Sequence, residues 1–266
     1  MKFSGRSNGW GILAAGAIVS AGLLIPASYR VLHAEGTSSP STDPAKWNEI
    51  ASDAAVAGIV EGQVKGIEKS MKSAGTFRRA LKKVEITGRV LAIVGNAETI
   101  RVEGEAAKKG AALREAGLAL TKAAADKKFE EAEKPLASIK TFPDSISPAG
   151  DAKPTDWKSL MDMDGLMTGV ASADNELKAA LSAKPDEFKK LAKEAQHWAT
   201  LMAYFGRVTR EHETDEQWKK WSDDMTAQSL TLAKALASKN HDEAKSARDN
   251  LLKSCEACHE AYRVEE

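Results

Sequence analysis

The residue types that can do chemistry sit together near the end of this chain, in Ser254-Cys255-Glu256-Ala257-Cys258-His259. Both cysteines of the protein fall inside that stretch, three positions apart, and a histidine follows the second directly. On a helix, positions i and i+3 lie on one face. Two thiols so placed can form thioethers with the two vinyl groups of one porphyrin, while the adjoining imidazole reaches its iron. C-x-x-C-H is the spacing of covalent haem attachment, and in a shuffled chain it would use up both cysteines about once in ten thousand arrangements. Other readings have less behind them. A thioredoxin-like dithiol needs a βαβ pattern that is missing here. A structural zinc site needs four ligands, and the remaining histidines, His33, His197, His212 and His241, show no ligand spacing. The expected cofactor is therefore one covalent haem c, an iron protoporphyrin, per chain.

The elements that must position this motif are helical. The chain has 266 residues, 42% of them hydrophobic, only 6% aromatic and only 8 prolines, and it is rich in alanine, lysine and glutamate. Straight-chain residues and alanine lose little entropy on coiling, so the fold class predicted is all-α. Apolar positions recur at helical spacing over 47–71, 77–94, 103–125 and 129–139, and again over 157–181, 185–204, 213–237 and 242–262. Ser/Thr/Pro-rich residues 35–44 and the proline-rich stretch 141–155 read as linkers. Two tandem antiparallel four-helix bundles are the simplest architecture, 45–140 and 156–266, with the first expected to fold alone.

The two blocks echo one another. At an offset of 110 to 112, Trp47 aligns with Trp157, Phe77 with Phe188, Leu91 with Leu201, Gly95 with Gly206, Lys122 with Lys234 and Ala132 with Ala244, which reads as a duplication. Where the second block carries the haem motif, the first has Phe142-Pro143-Asp144-Ser145-Ile146-Ser147-Pro148, so no haem is expected there. Lys+Arg and Asp+Glu both total 38, which removes any general argument for nucleic acid as a partner. The halves differ, with 18 basic and 13 acidic residues over 45–140 against 16 and 21 over 156–266. Ordinary solvated helix surface accounts for such a difference.

Residues 1–34 read as an address. Lys2 and Arg6 precede an apolar run from Trp10 to Tyr29, and Leu32-His33-Ala34 is the candidate cleavage site, with a large residue where a small one is preferred. The run is close to the length that spans a bilayer, so a signal peptide and a retained anchor both fit. Export to the periplasm, with or without an inner-membrane tether, agrees with haem attachment outside the cytoplasm.

Cys255-Glu256-Ala257-Cys258-His259 lies on the last predicted helix and is followed by Glu260-Ala261-Tyr262-Arg263. Here the sequence resembles the cytochrome c-prime family, the class II c-type cytochromes, whose bundles end in C-x-x-C-H-x-x-(Phe/Tyr)-(Arg/Lys). The resemblance covers 156–266. It implies that Cys255 and Cys258 are thioether anchors, His259 the proximal iron ligand, Tyr262 a packing residue near the haem and Arg263 a cation beside the proximal imidazole. It also implies that the sixth iron position faces the first helix of the bundle, which carries Met161, Met163 and Met167. Met167 is nearest the family's methionine position, with Met163 one turn earlier, and core packing is the competing role for each. Their counterparts in the first block are Ala57 and Asp53. Trp198, Tyr204, Trp218 and Trp221 read as core, and Arg207 or Arg210 as cations within reach of a propionate.

The function expected is electron transfer by a one-haem periplasmic cytochrome. The alternative is binding of nitric oxide or carbon monoxide at five-coordinate iron, and a third reading is an interaction protein whose first block docks a partner. No enzyme is expected, because no nucleophile with a base, paired carboxylates or phosphate loop stands out. The partners in view are a redox protein, a second copy of the chain as a homodimer, and a membrane through residues 1–34, with no nucleic acid.

Overall fold

The structure, a computed structural model, describes residues 44–262. Residues 1–43 and 263–266 lie outside the described set, and with them the address segment, nearly all of the first linker, His33 and Arg263. The described residues are helical. The first half has α1 (Pro44–Asn48), α2 (Asp53–Glu68), a single 3-10 turn (Ser70–Lys72), α3 (Ala74–Arg79), α4 (Leu81–Arg101), α5 (Gly104–Ala125) and α6 (Phe129–Lys140). The second has α7 (Trp157–Leu160), α8 (Met163–Leu181), α9 (Pro185–Thr209), α10 (Glu216–Ala237) and α11 (His241–Tyr262). The all-α expectation holds. No described helix is long and apolar enough to cross a membrane.

Periodicity predicts one unbroken helix at the start of each half, and the structure breaks both. Ser52 accepts the N–H of Ala55 and restarts the coil as α2. Asp162 does the same for α8 by accepting the N–H of Gly165 at 2.8 Å. Short polar side chains that capture backbone donors favour such starts over helix interiors. Residues 77–94 are likewise split, since Ser73 and Thr76 cap α3 reciprocally and the chain turns at Ala80 before α4 begins. α4 then runs past residue 94 to Arg101, with every residue from Val90 to Arg101 buried. That length rests on a close approach to α5, where a Cβ on Gly95 would lie 2.4 Å from the Arg114 backbone nitrogen.

The correspondence between halves extends to backbone detail. α5 ends with Lys127 at φ 59° and α10 with Lys239 at φ 56°, positions 112 apart. In both turns the next N–H reaches the carbonyl five residues back, Lys128 to Ala123 and Asn240 to Ala235. A left-handed residue after the last turn is what such a helix end requires. Lysine fills a place that glycine fills at less cost.

Contacts cross from one half to the other. α2 packs on α9, and α4 packs on α7 and α8. The Trp47 ring lies 5.2 Å from that of Trp157 and 5.7 Å from that of Tyr204, and all three side chains are fully buried in one hydrophobic core that runs through both halves. Residues 141–155 are strapped onto α4 and α5. Asn96 bonds both the N–H and the carbonyl of Thr155, Arg114 donates to the Lys153 carbonyl at 2.6 Å, and Ile146 is buried.

Candidate functional site

The C-x-x-C-H stretch lies on a helix extension that the first half lacks. α6 has 12 residues and α11 has 22, and by the repeat offset α6 stops where Leu252 stands in α11. Everything after that point, including Cys255, Cys258 and His259, belongs to the extension. Its character differs from what precedes it: Ala244, Ala247 and Leu251 are buried, whereas no residue from 252 to 262 is. Cys255, Cys258, His259 and Tyr262 follow the i, i+3, i+4, i+7 spacing of a single helix face. Both cysteines are free thiols and half-buried.

Burial decides the state of the thiols. It pushes Cys255 up to about 11, with the negative charge of Asp174 adding to the effect, and raises Cys258 as well. Both therefore remain protonated at neutral pH. The thiolate is the form that oxidises and attacks, so burial lowers the reactivity of both sulfurs. His259 is exposed and makes no hydrogen bond or ion pair with a described residue. The other described histidines are occupied. His212 faces the Val208 and Met161 carbonyls, His241 the Leu181 carbonyl, and His197 packs against Gly58, whose added Cβ would fall 2.2 Å from its ring.

Two antiparallel neighbours hold the extension. On one side, the His241 ring bonds the Leu181 carbonyl at 2.8 Å, and seven residues on, Arg248 grips Asp174 of α8 through two bonds of 2.8 Å. Seven residues are two helical turns, so the register repeats on the same faces. Carried two turns further it sets Met167 level with Cys255, and one turn beyond that Met163 level with His259. Met163 packs against the core, Met167 is half-buried, and Met161 is fully buried with its carbonyl facing His212.

On the other side stands the start of α10. Asp215 caps it by accepting the Trp218 N–H and also accepts the hydroxyl of Tyr262. The Tyr262 ring meets Trp218 and Trp221 edge-on, at 5.1 and 5.5 Å. That hydrogen bond pushes the phenol up to about 12 and holds Asp215 below the usual carboxylate range. Trp218 is buried and ties its indole N–H to the Thr209 carbonyl, while Trp221 is half-buried. Tyr204 and Trp198 pack in or against the core, as expected. Arg207 lies buried beside Glu211 and Asp223, and Arg210 binds Asp223 at 3.0 Å, so both arginines face carboxylates. Sequence reasoning missed Asp174, Arg248 and Asp215. The seven-residue spacing of His241, Arg248, Cys255 and Tyr262 was the available signal.

The donor set on α11 is two thiols and one imidazole. No group of three or more His, Cys, Asp or Glu among them is placed to hold a metal ion. Two half-buried thiols on one face and an unengaged imidazole one position on could together hold a haem, the thiols through thioether bonds and the imidazole at its iron. No protein-family model, curated protein or solved structure matches this chain.

Proposed function

We propose that the chain is an exported c-type cytochrome that carries one covalently bound haem and transfers electrons. The observation that carries this reading is the α11 extension, which presents Cys255, Cys258 and His259 on one face and is missing from the corresponding α6. The haem would supply an iron that cycles between ferrous and ferric states. Cys255 and Cys258 would each add S–H across a vinyl group, which fixes the porphyrin's edge to the helix. His259 would give the iron its axial nitrogen. Asp174 with Arg248 ties down α11 just before the extension and Asp215 with Tyr262 ties down its end, so His259 stands between two anchored points of one helix. The resemblance of 156–266 to class II c-type cytochromes would add the charge of Arg263, which lies outside the described residues.

Met167 is the second residue that would hold the iron. Side chains on a helix tilt toward its N-terminus. Because α8 and α11 are antiparallel, Met167 leans toward the level of His259, and His259 leans toward the level of Met167. Met163 leans away from that meeting point. A repeat of two four-helix halves that share one core, the periplasmic location, the tether through residues 1–34, a redox protein as partner and a homodimer belong to the same reading, and no enzymatic activity is proposed.

Mass spectrometry of protein from a host competent in c-type maturation tests it, with one haem added per chain. Colour lost on extraction with acidified acetone, or two haems per chain, would overturn it.

A further inference from the structure

The first half has no haem motif, but it has a surface the second half lacks. Between residues 69 and 84 there are six cations, Lys69, Lys72, Arg78, Arg79, Lys82 and Lys83, and no carboxylate. All six are exposed, and none forms an ion pair with a described residue. The corresponding stretch of the other half, 180–195, has four lysines against Asp186, Glu187 and Glu194, and Lys189 pairs with Asp186. Repeated backbone with divergent charge sets this face apart from general helix solvation.

The fold holds the patch in place. The Ser73/Thr76 capping box fixes α3, which carries the two arginines, and Phe77 between the serine and those arginines is fully buried. Met71 and Leu81 pack against the core, and Val84 is buried. Phe77 and Val84 are thus fully inward and Met71 and Leu81 partly so, leaving a mainly cationic surface, bordered by Glu68 and Glu133 beside Lys72 and by Glu176 beside Lys82 and Lys83, with no large apolar side chain fully exposed to insert into a bilayer. Stable membrane association generally requires such apolar insertion in addition to charge. Phe77, the one aromatic residue between 69 and 84, is buried, so this segment exposes no ring for stacking on bases either.

We propose that this face docks the carboxylate-rich surface of a partner protein. Adjacent arginines offer planar forks suited to carboxylates, and lysines around them add long-range attraction. Because the whole chain is neutral, a concentrated patch orients the molecule on approach as well as attracting it. The proposal is independent of the haem reading.

Poly-L-glutamate binding to the full chain near physiological ionic strength provides the test. Changing all six cations to glutamine should weaken binding at least about tenfold and flatten its salt dependence. Glutamine at Lys184, Lys189, Lys190 and Lys193 should leave binding within about twofold. Circular dichroism melting establishes that each variant is folded, and Arg78→Gln with Arg79→Gln, a smaller change, should give an intermediate loss. The proposal fails if the unmutated chain does not bind, or if the patch variant binds unchanged or no worse than the control variant. It also fails if vesicles of phosphatidylcholine and phosphatidylglycerol sediment the unmutated chain and not the patch variant, since a bilayer would then be the ligand.

Discussion

Trp47 and Trp157 occupy the same position in the two halves, and their rings lie against each other at 5.2 Å. The two halves are thus in contact where the first helix of each begins. The start of α2 and the ends of α4 and α9 gather at the same place. Arg101 at the end of α4 binds Glu98 and reaches Asp53 at the start of α2, and His212, its counterpart 111 residues on, faces the Met161 carbonyl just before α8. Different chemistry closes the same junction in each half.

Loss of the Trp47 ring should destabilise the whole chain. Trp47→Ala removes a fully buried side chain from between Trp157 and Tyr204 and should cost about 3–5 kcal/mol. A thermal melt should show one cooperative transition shifted downward. Two transitions, only one of which moves, would mean that the halves do not share their stability. Residues 45–140 made alone leave uncovered the faces of α2 and Trp47 that α9, Trp157 and Tyr204 occupy, and should melt below the full chain.

Helix content, the repeat and the thiol-histidine motif were legible because each is local. A 3.6-residue period, an offset that stays within 110 to 112 and a five-residue motif need no tertiary information. The breaks at Ser52, Ala80 and Asp162 were not, since a cap wins only when the chain has somewhere to turn, and that is decided by packing on the other half. The clamps on α11 were hidden for a related reason. Asp174 and Arg248 are 74 residues apart, as are no two positions any motif links, and only the α8 to α11 register brings them together.

That clamp should be measurable. The Asp174 carboxylate and Arg248 guanidinium are both mostly buried and paired through two hydrogen bonds, so Asp174→Asn or Arg248→Met should cost about 1.5–3 kcal/mol. The double variant should cost less than the sum of the two, because one change already breaks the pair. Strict additivity in denaturant unfolding would show that the residues do not interact.

The contact between Tyr262 and Asp215 sets a pH window for the end of α11. Tyr262 ionises at about 12 in the folded chain against about 10 when free, so its contribution is complete below about pH 10 and disappears as pH rises through about 12. Asp215 is shifted downward, so its contribution is present above about pH 4 and is lost as pH falls through its folded value. Ultraviolet titration of phenolate absorbance should show a high-pH step that Tyr262→Phe abolishes and Asp215→Asn moves down. A tyrosine step unaffected by Asp215→Asn would contradict the contact.

The axial ligand is decided by two neighbouring substitutions on α8. With Met167 bound to iron opposite His259, the reduced protein should be low-spin and resist carbon monoxide, since a sulfur already fills the sixth position. Met167→Ala should open that position, convert the spectrum to high-spin and admit carbon monoxide. Met163→Ala should leave the spectrum unchanged. Its side chain is half-buried and packed on the core, so its loss should cost at most about 2 kcal/mol, the low end for a buried methionine. The opposite pattern would move the ligand one turn toward the start of α8, which the opposed tilt of antiparallel side chains argues against. An unmutated protein that is already high-spin and takes up carbon monoxide would leave both methionines as packing residues, and the same His259 site would then serve gas binding in place of electron transfer.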